Sequence, residues 1–226
     1  MTDDQMKIVN AAIKLFAQKG PIDTSLSDIA KEASVNESLI YRSFSSKDGI
    51  LLAIYDYFWD RIKNDVEEVY NDEWEPEALG KIRAMAKRCR TFFKDNIDLL
   101  KIVNNTYLIT QKNSDHESKK DKDKDKDKDE EVENKRKAVW RKNQDVLKIL
   151  DDTIMAGQER KEITNKMPAP VIRSILMGSF RSLIYGLFIP CITTDKKKAP
   201  FSILEAQHAI EFLLDNFSAD EKLKHK

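Results

Sequence analysis

The sequence has few of the residues that break helices, form disulfides or bind metals. Its 226 residues include 6 Gly and 6 Pro, which favours long helices over many short strands. Its two cysteines, Cys89 and Cys191, lie far apart without metal-ligand spacing, which suits a reducing cytoplasm. No two of His116, His208 and His225 have metal-ligand spacing either. We therefore expect an all-helical, cytoplasmic protein that holds no metal and no cofactor.

Net charge and the sequence motifs of common enzymes are also missing. Basic and acidic residues number 39 each, so a nucleic-acid site would have to be local. The chain contains no GxSxG, no Gly-rich phosphate loop and no cysteine in an evident nucleophile setting. These absences argue against an enzyme. A helical enzyme whose site is assembled from distant residues remains an alternative.

One apolar run, residues 171–192, is long enough to span a bilayer. It contains Arg173 and Arg181, and an arginine at the centre of a membrane costs roughly 2.5–3.5 kcal/mol. The N-terminus has no apolar run after a basic start, so it does not resemble a signal peptide. We expect no membrane partner.

Apolar residues recur at helical spacing along most of the chain, and they predict about nine helices and no credible strand. A different pattern, KKDKDKDKDKDE at residues 119–130, has no apolar residue and places like charges four apart. It predicts a mobile, solvated linker over residues 113–131. A nucleic-acid-binding arm is the alternative, which the balanced charges disfavour. The helices are predicted at about 6–19, 26–33, 37–44, 46–70, 76–95, 96–111, 132–157, 168–189 and 202–217.

The second and third predicted helices have the spacing of a helix-turn-helix. Asn36 is a good N-cap for the third helix, and Ile40 and Phe44 share the face that points into the core. Ser38 and Arg42 then point away from the core, flanked by Leu39 and Tyr41. An ordinary helical bundle with a short third helix is the competing interpretation.

Phosphate contacts are predicted at the start of two helices. Thr24 and Ser25 open the second helix, where hydroxyls and free backbone N–H groups can hold a phosphate. Lys47 lies in the first turn of the fourth helix, where its charge adds to the positive end of the helix dipole.

These segments resemble the DNA-binding domain of TetR-family transcriptional repressors. The resemblance is carried by IVNAAIKLFAQKG, TSLSDIAKEASVN and LIY-x-x-F-x-SK, in order and in spacing, over about residues 7–54. Farther along, GQERKEI looks like the family's turn before its penultimate helix. The resemblance implies an all-α protein with a three-helix DNA-binding domain at residues 1–46. Residues 47–226 would form a helical domain for ligand binding and dimerisation.

The resemblance also implies roles for individual residues. Asn36 would cap the recognition helix, Tyr41 would lie against the DNA backbone, and Ser38 and Arg42 would fall where groove contacts are made. This sequence departs from the family pattern at Glu37, Ser38, Leu39 and Ser43, which puts the operator sequence in doubt. The predicted DNA-binding residues are Thr24, Ser25, Ser27, Asn36, Glu37, Ser38, Leu39, Tyr41, Arg42 and Lys47.

Small residues recur every four positions in the predicted helix at 168–189 and would let another helix approach closely. Packing within the chain is one explanation, and a two-fold interface between copies is the other. The resemblance favours the interface, because TetR-family dimers pair their last two long helices. The predicted interface residues are Ser174, Gly178, Ser182, Gly186, Ile203, Ile210, Leu214 and Phe217.

The middle helices carry apolar residues that, taken singly, are expected in the core but together could line a pocket. The resemblance implies a small apolar or amphipathic effector there that releases DNA. The candidates are Met85, Cys89, Phe92, Phe93, Val103, Tyr107, Trp140, Leu147, Met177, Phe180 and Tyr185.

The sequence thus predicts a homodimeric repressor of a palindromic double-stranded operator, released by an effector. Over residues 1–50, five Lys and one Arg oppose seven Asp and Glu, so a single module should bind weakly and with strong salt dependence. Two half-sites about 34–36 Å apart, or a multiple of that spacing, would compensate. A helical interaction protein that does not bind DNA remains the main alternative.

Overall fold

The computed structural model describes residues 1–74, 76–103, 126–188, 199 and 201–219, with the backbone alone for 126–132. Within these residues the protein is all-helical, as predicted, and the one strand-like feature is an isolated pairing of Ile163 with Ser218. The helices are α1 (Asp3–Lys19), α2 (Leu26–Ala33), α3 (Glu37–Phe44), α4 (Lys47–Tyr70), α5 (Ala78–Asp95), α6 (97–103), α7 (Lys126–Glu159), α8 (Ala169–Phe188) and α9 (Ile203–Phe217).

The chain divides into two compact units. Unit 1 contains Met1–Asp60 and Asp98–Lys142, and unit 2 contains Arg61–Ile97 and Asn143–Lys226. The long helices α4 and α7 each contribute residues to both units. Unit 1 extends beyond residue 46, where the sequence placed the end of a DNA-binding domain, and that functional boundary stays a prediction.

The first three helices of unit 1 pack around one apolar core. The faces expected to point inward do so. Four of their residues are fully buried, Val9, Ala12, Ile29 and Ile40, and Phe44 is 8% exposed. At about 25 cal/mol per Å² of buried apolar surface, such contacts are the main force that holds α3 on α1 and α2. The short helix α3 is therefore stabilised by tertiary packing, because eight residues alone would be marginal in water.

The turn between α2 and α3 is closed by backbone hydrogen bonds. The Val35 amide donates to the Ala30 carbonyl at 3.0 Å, and the Ser34 amide donates to the Lys31 carbonyl at 3.2 Å. These are the two bonds of a Schellman motif, and Ser34 takes its left-handed position with φ of 55°. Asn36 then caps α3, since its Oδ1 accepts from the Ser38 amide at 2.9 Å.

The end of α3 and the start of α4 approach each other very closely. Ser46 caps α4 by accepting a hydrogen bond from the Gly49 amide at 3.1 Å. A Cβ built on Gly49 would lie 1.9 Å from the Phe44 carbonyl oxygen, and that neighbour is backbone that cannot rotate away. Glycine at this position is therefore what lets α4 start directly beneath the end of α3.

Substituting Gly49→Ala should destabilise the protein by about 1–3 kcal/mol, because the added methyl group forces α3 and α4 apart. Denaturant unfolding monitored by circular dichroism measures the effect. Asp48→Ala, at the neighbouring exposed position, is the control and should cost less than about 1 kcal/mol, the worth of a helix-dipole contact. A Gly49→Ala protein as stable as the parent would show that α3 and α4 do not need this close approach.

Unit 2 has its own core, and the GQERKEI segment organises one side of it. A Cβ on Gly157 would lie 2.6 Å from the Ala78 Cβ, so the glycine permits close packing of α7 on the start of α5. Glu162 accepts from the Ala78 amide at 2.6 Å, which caps α5 from a distant part of the chain. The buried core residues are Ala78, Leu79, Ile82, Ile154, Ile163, Ala169, Ile172, Leu214 and Phe217.

The carboxylate of Glu162 is held in its ionised form at this cap. Partial burial raises its pKa, but hydrogen bonds from Arg160 and from the Ala78 amide outweigh burial, and the pKa lies below its usual value. Arg160 Nε donates to Glu162 Oε1 at 2.6 Å. The first turn of α5 therefore has a permanent negative partner, which suits its positive helix end.

The predicted linker at 113–131 requires a correction. Residues 113–125 lie outside the described residues, but α7 begins at Lys126, six residues before the predicted start at Val132. One ion pair contributes to the earlier start, because Glu133 pairs with Lys137 four residues on at 3.9 Å.

Helix α8 is long and apolar enough to cross a membrane by length and composition, and 11% of its apolar window is buried inside the chain. It nevertheless packs on α5 and α9 through Ala169, Ile172 and Ile184. Arg173 on the same helix donates to Asp151 on α7 at 2.8 Å. These contacts favour a helix packed in a protein core with one apolar face left uncovered.

Candidate nucleic-acid interface

The outward face of α3 is formed as the sequence predicted. Ser38 and Arg42 are exposed, Tyr41 is 52% exposed, and Leu39 is partly buried beside them. The structure records no partner for the Arg42 guanidinium among the described residues. An unpaired guanidinium has five donors in a fixed fork, which can bind a guanine edge or a phosphate with two hydrogen bonds.

Thr24 does not present its hydroxyl to the outside, which corrects its predicted role as a phosphate contact. Its side chain is 1% exposed, and its Oγ1 donates to the Gly20 carbonyl at 2.7 Å. The hydroxyl thus closes the loop after α1 instead of binding a ligand. Sequence reasoning missed this because a Thr before a helix looks the same whether its side chain turns inward or outward.

The N-terminus of α2 is exposed but already carries an anion. Ser25 caps the helix by accepting from the Asp28 amide at 3.0 Å, and the Ser25 amide donates to the Asp28 carboxylate at 3.1 Å. Lys19, at 2.7 Å, and then these Ser25 bonds lower the pKa of Asp28 to about 2. The Ser25 and Ser27 hydroxyl groups stay available as donors, but a phosphate here would lie close to the carboxylate of Asp28.

Lys47 holds the loop between α1 and α2 in place. Its Nζ donates to the Thr24 carbonyl at 3.0 Å and to the Ile22 carbonyl at 3.3 Å. An ammonium group has three donors, so one remains for a phosphate. The predicted phosphate role of Lys47 is therefore compatible with a second role, which is to fix the start of α2 relative to α4.

Lys47→Met should reveal both roles in one variant. Loss of the two carbonyl contacts should lower the free energy of unfolding by about 1–3 kcal/mol, since these are charge-assisted bonds. Loss of a phosphate contact should weaken DNA binding evenly across sequences and reduce the salt slope by about 1. Chemical unfolding and binding titrations at several salt concentrations provide the two readouts.

Lys7→Met is the control, because Lys7 pairs with Asp4 on an exposed face of α1. We expect little change in stability from that exposed pair. If Lys47→Met weakened binding to one DNA sequence far more than to others, the phosphate role would be wrong.

The predicted effector-pocket residues lie in both units. In unit 2, Met85, Cys89, Phe92 and Phe93 are buried on α5, whereas Leu147, Met177, Phe180 and Tyr185 are partly buried. In unit 1, Val103 is partly buried and Trp140 is 63% exposed. Tyr107 lies outside the described residues. The α5 cluster is thus the most enclosed part of the predicted set.

Burial keeps the thiol of Cys89 unreactive. Desolvation, with a smaller contribution from the charge of Asp65, raises its pKa to about 12. At neutral pH the group is a protonated thiol that packs like a small apolar side chain. Among the described residues no group of three or more His, Cys, Asp or Glu could hold a metal ion.

The predicted dimer-interface residues fall into two groups, and some need correction. Ser174, Gly178 and Ser182 are exposed on α8, and Ile203 is 43% exposed on α9. Gly186 instead faces Phe201 of its own chain, where an added Cβ would lie 2.5 Å from the phenyl ring. The other three predicted interface residues on α9 belong to the core of unit 2. Leu214 and Phe217 lie in it, at 0% and 5% exposure, and Ile210 packs against it.

A comparison with known proteins identifies the helix-turn-helix segment. Residues 8–54 match the model for bacterial regulatory proteins of the tetR family. These are the residues whose packing and exposure are described above.

Residues 8–54 carry the sequence of a TetR-family helix-turn-helix segment.

Curated TetR-like relatives resemble this chain over its N-terminal part. The uncharacterized HTH-type transcriptional regulator YuxN of Bacillus subtilis is 39% identical over 61 residues, 27% of this chain and 21% of that protein. An HTH-type transcriptional repressor of Mycobacterium tuberculosis is 40% identical over 55 residues, 24% of this chain and 29% of that protein. The matches thus span about a fifth to a third of the length of these relatives.

Similarity of fold to solved structures extends over most of the chain. The crystal structure of the transcriptional regulator FadR from Bacillus subtilis, in complex with stearoyl-CoA, is similar with a TM-score of 0.67. The similarity covers 92% of this chain and 97% of that chain at 20% identity. At this identity the likeness establishes the fold alone.

Several residues that shape the TetR-like interface were not singled out from the sequence. Gly49 gave no signal, because its role depends on the Phe44 carbonyl, which is its neighbour in space. An S-x-x-D pattern at Ser25 could have indicated the cap that Asp28 completes. No local pattern could have indicated the contact of Gly49 with α3.

Proposed function

We propose that this TetR-family protein is a sequence-specific transcriptional regulator that represses genes by occupying a palindromic operator in the cytoplasm. The observation that carries the proposal is the outward face of α3, where Arg42, Tyr41 and Ser38 are exposed on a helix capped by Asn36. A helix held on its core by Ile40 and presenting unpaired donors outward is the geometry that enters a major groove.

Each exposed residue of α3 has a stated task in this proposal. Arg42 donates to a base edge, Tyr41 lies against the phosphate backbone, and Ser38 donates or accepts in the groove. Leu39 offers an apolar contact for a thymine methyl group. Glu37, in the first turn, interacts favourably with the helix dipole but repels phosphate. It therefore favours positions of α3 on the DNA in which its carboxylate faces a base and not a phosphate.

Selection of bound duplexes from a random DNA pool tests this function. Enrichment of a palindromic consensus by the purified protein would support it. No enrichment even at low salt would contradict it and favour a helical interaction protein that does not bind DNA. Low salt is the sensitive condition, because phosphate contacts strengthen as counterion concentration falls.

Arg42→Ala should reduce operator affinity by roughly 1–3 kcal/mol and relax selectivity at one base pair. The physical reason is the loss of a bidentate contact that only one base edge fits. Arg141→Ala, at an exposed arginine of α7, is the control and should bind like the parent. Unchanged affinity and selectivity for Arg42→Ala in a titration with the selected duplex would remove Arg42 from the site.

A homodimer is part of the proposal, because one module with a net charge of −1 over residues 1–50 has little electrostatic attraction to DNA. An uncovered face of unit 2 supports it. On α8, Val171 and Ile175 are 43% and 38% exposed, and on α9, Leu204 and Phe212 are 60% and 68% exposed. Exposed apolar residues on adjacent helices are typical of surfaces that bind a partner.

Gly178→Leu should convert the dimer to a monomer. A Cβ at Gly178 meets no atom from other parts of the described chain within 4 Å, so the larger side chain should be tolerated in the monomer and obstruct only a partner. Sedimentation velocity measures the assembly state, and circular dichroism checks the helix content. Lys148→Leu, which adds a leucine on an exposed part of α7, is the control. An intact Gly178→Leu dimer would place the interface elsewhere.

The effector in this proposal is a small apolar or amphipathic molecule bound among the α5 residues of unit 2. Met85, Cys89, Phe92 and Phe93 supply buried apolar surface there. The FadR structure from Bacillus subtilis holds stearoyl-CoA, a ligand with a long apolar chain. Release of DNA requires the effector to bind the non-DNA state more tightly, and such coupling is typically about 1–3 kcal/mol.

A further inference from the structure

One nitrogen of a cationic group in unit 2 is enclosed without a recorded partner. Nη1 of Arg90, on α5, is shielded from solvent and has no hydrogen-bond acceptor among the residues that the structure describes. The rest of the side chain is only partly buried. Arginine side chains stay charged at all physiological pH values, so loss of a proton does not lower the cost of enclosing an unpaired N–H group.

An enclosed and unpaired charged donor is expensive, and folded proteins pair nearly all such groups. The neighbours of Arg90 on the same helix follow that rule. Arg88 donates to both carboxylate oxygens of Glu68, at 2.5 and 2.9 Å. Arg83 pairs with Glu211 and with Asp215 on α9. Arg90 differs from both, which points to an acceptor that is supplied from outside the chain.

The charge on α5 indicates that this acceptor is an anion. The helix carries Lys81, Arg83, Lys87, Arg88, Arg90 and Lys94, and its one acidic residue is Asp95 near the C-terminus. The carboxylates that pair with arginines of α5, Glu68, Glu211 and Asp215, are bound by Arg88 and Arg83. The buried Asp65, whose charge acts on Arg88 and Cys89, is paired with Arg61 at 3.2 Å. A neutral acceptor would satisfy one N–H group and leave the excess positive charge in place.

The helix period places Arg90 beside apolar residues. Phe93, three residues on, shares its side of α5, Cys89 lies on the adjoining side, and Phe92, two residues on, lies toward the opposite side. All three are buried. The Phe92 and Phe93 rings lie 5.7 Å apart in a tilted arrangement. A ligand that reached Nη1 of Arg90 would therefore meet apolar side chains, Phe93 first among them, next to its anionic group.

We propose that Arg90 is the anchor for the anionic oxygen group of an amphipathic effector whose apolar body lies against the buried residues of α5. This rests on the proposed function, since it names the chemistry of the effector of the same regulator. Two sources fit the shared chemistry, a free long-chain carboxylate and the phosphate groups of an acyl thioester. The guanidinium is poorly paired without ligand and paired when the ligand is bound.

Three probes with one chain length separate these possibilities. Dodecanoate carries a carboxylate, dodecanoyl-CoA carries phosphates on a thioester, and 1-dodecanol is the neutral counterpart. Calorimetric titration into the full chain should show that Arg90→Met weakens binding of at least one anionic probe by roughly 10–100-fold, the worth of a charged hydrogen bond. Binding of 1-dodecanol should change by less than about threefold, because its contacts are apolar. Whichever anion loses affinity identifies the source.

Two further variants serve as controls. Arg88→Met removes a guanidinium that is already paired with Glu68, so it should leave the affinity for all three probes unchanged. Arg90→Lys keeps the charge but loses the planar fork, so its affinity for the anion should lie between those of the parent and Arg90→Met. Unchanged anion binding by Arg90→Met, or an equal loss for 1-dodecanol, would overturn the assignment of Arg90.

The ligand-free proteins give an independent readout. Arg90→Met should raise the melting temperature by about 2–6 °C, because it removes an unpaired enclosed charge, whereas Arg88→Met should not raise it. A lower melting temperature for Arg90→Met would mean that the guanidinium already has hydrogen-bond partners, and would overturn the proposal.

Operator binding without ligand separates the Arg90 proposal from the proposed function. If the parent binds its selected duplex but no anionic probe, the anchor fails and the regulator remains. If it binds no duplex, the proposed function fails irrespective of the probes.

Discussion

The first turn of α4 holds together the surface that we propose faces DNA. Gly49 lets this turn approach the Phe44 carbonyl at the end of α3, and Lys47 in the same turn donates to the Ile22 and Thr24 carbonyls before α2. One turn of helix thus fixes both the recognition helix and the start of α2. Because both contacts are made to backbone atoms, changes in the exposed side chains of α3 can alter the DNA sequence that is read without moving the helix that presents them.

Two carboxylates of α2 are paired with lysines of α1, which leaves the net charge of this part of the chain unchanged. Asp28 pairs with Lys19 at 2.7 Å, and Glu32 pairs with Lys14 at 2.5 Å. Exposed pairs of this kind add little stability, but they neutralise carboxylates that would otherwise repel phosphate. Arg42 has no recorded partner among the described residues, so its charge is available to DNA. A net charge near zero is therefore compatible with a local positive site.

The sequence predicted best the features that depend on neighbouring residues. The bounds of α2 and α3 and the Asn36 cap follow from local spacing, and the structure confirms them. It predicted worst the features that depend on distant residues. The inward turn of Thr24 depends on the Gly20 carbonyl, and the cap of α5 depends on Glu162, which lies 84 residues away. For the site, the exposed face of α3 was predictable, whereas the contacts that position it were not.

The small residues of α8 show why a regular pattern can have two physical causes. Gly186 and Gly178 belong to one four-residue repeat, yet Phe201 of the same chain fills the space beside Gly186 while the space beside Gly178 is open. The repeat therefore serves packing within the chain at its C-terminal end and leaves its N-terminal part uncovered. Val171 and Ile175 are exposed on that N-terminal part. In the proposed dimer, a second copy would thus approach α8 most closely around Gly178, where no side chain of the described residues intervenes.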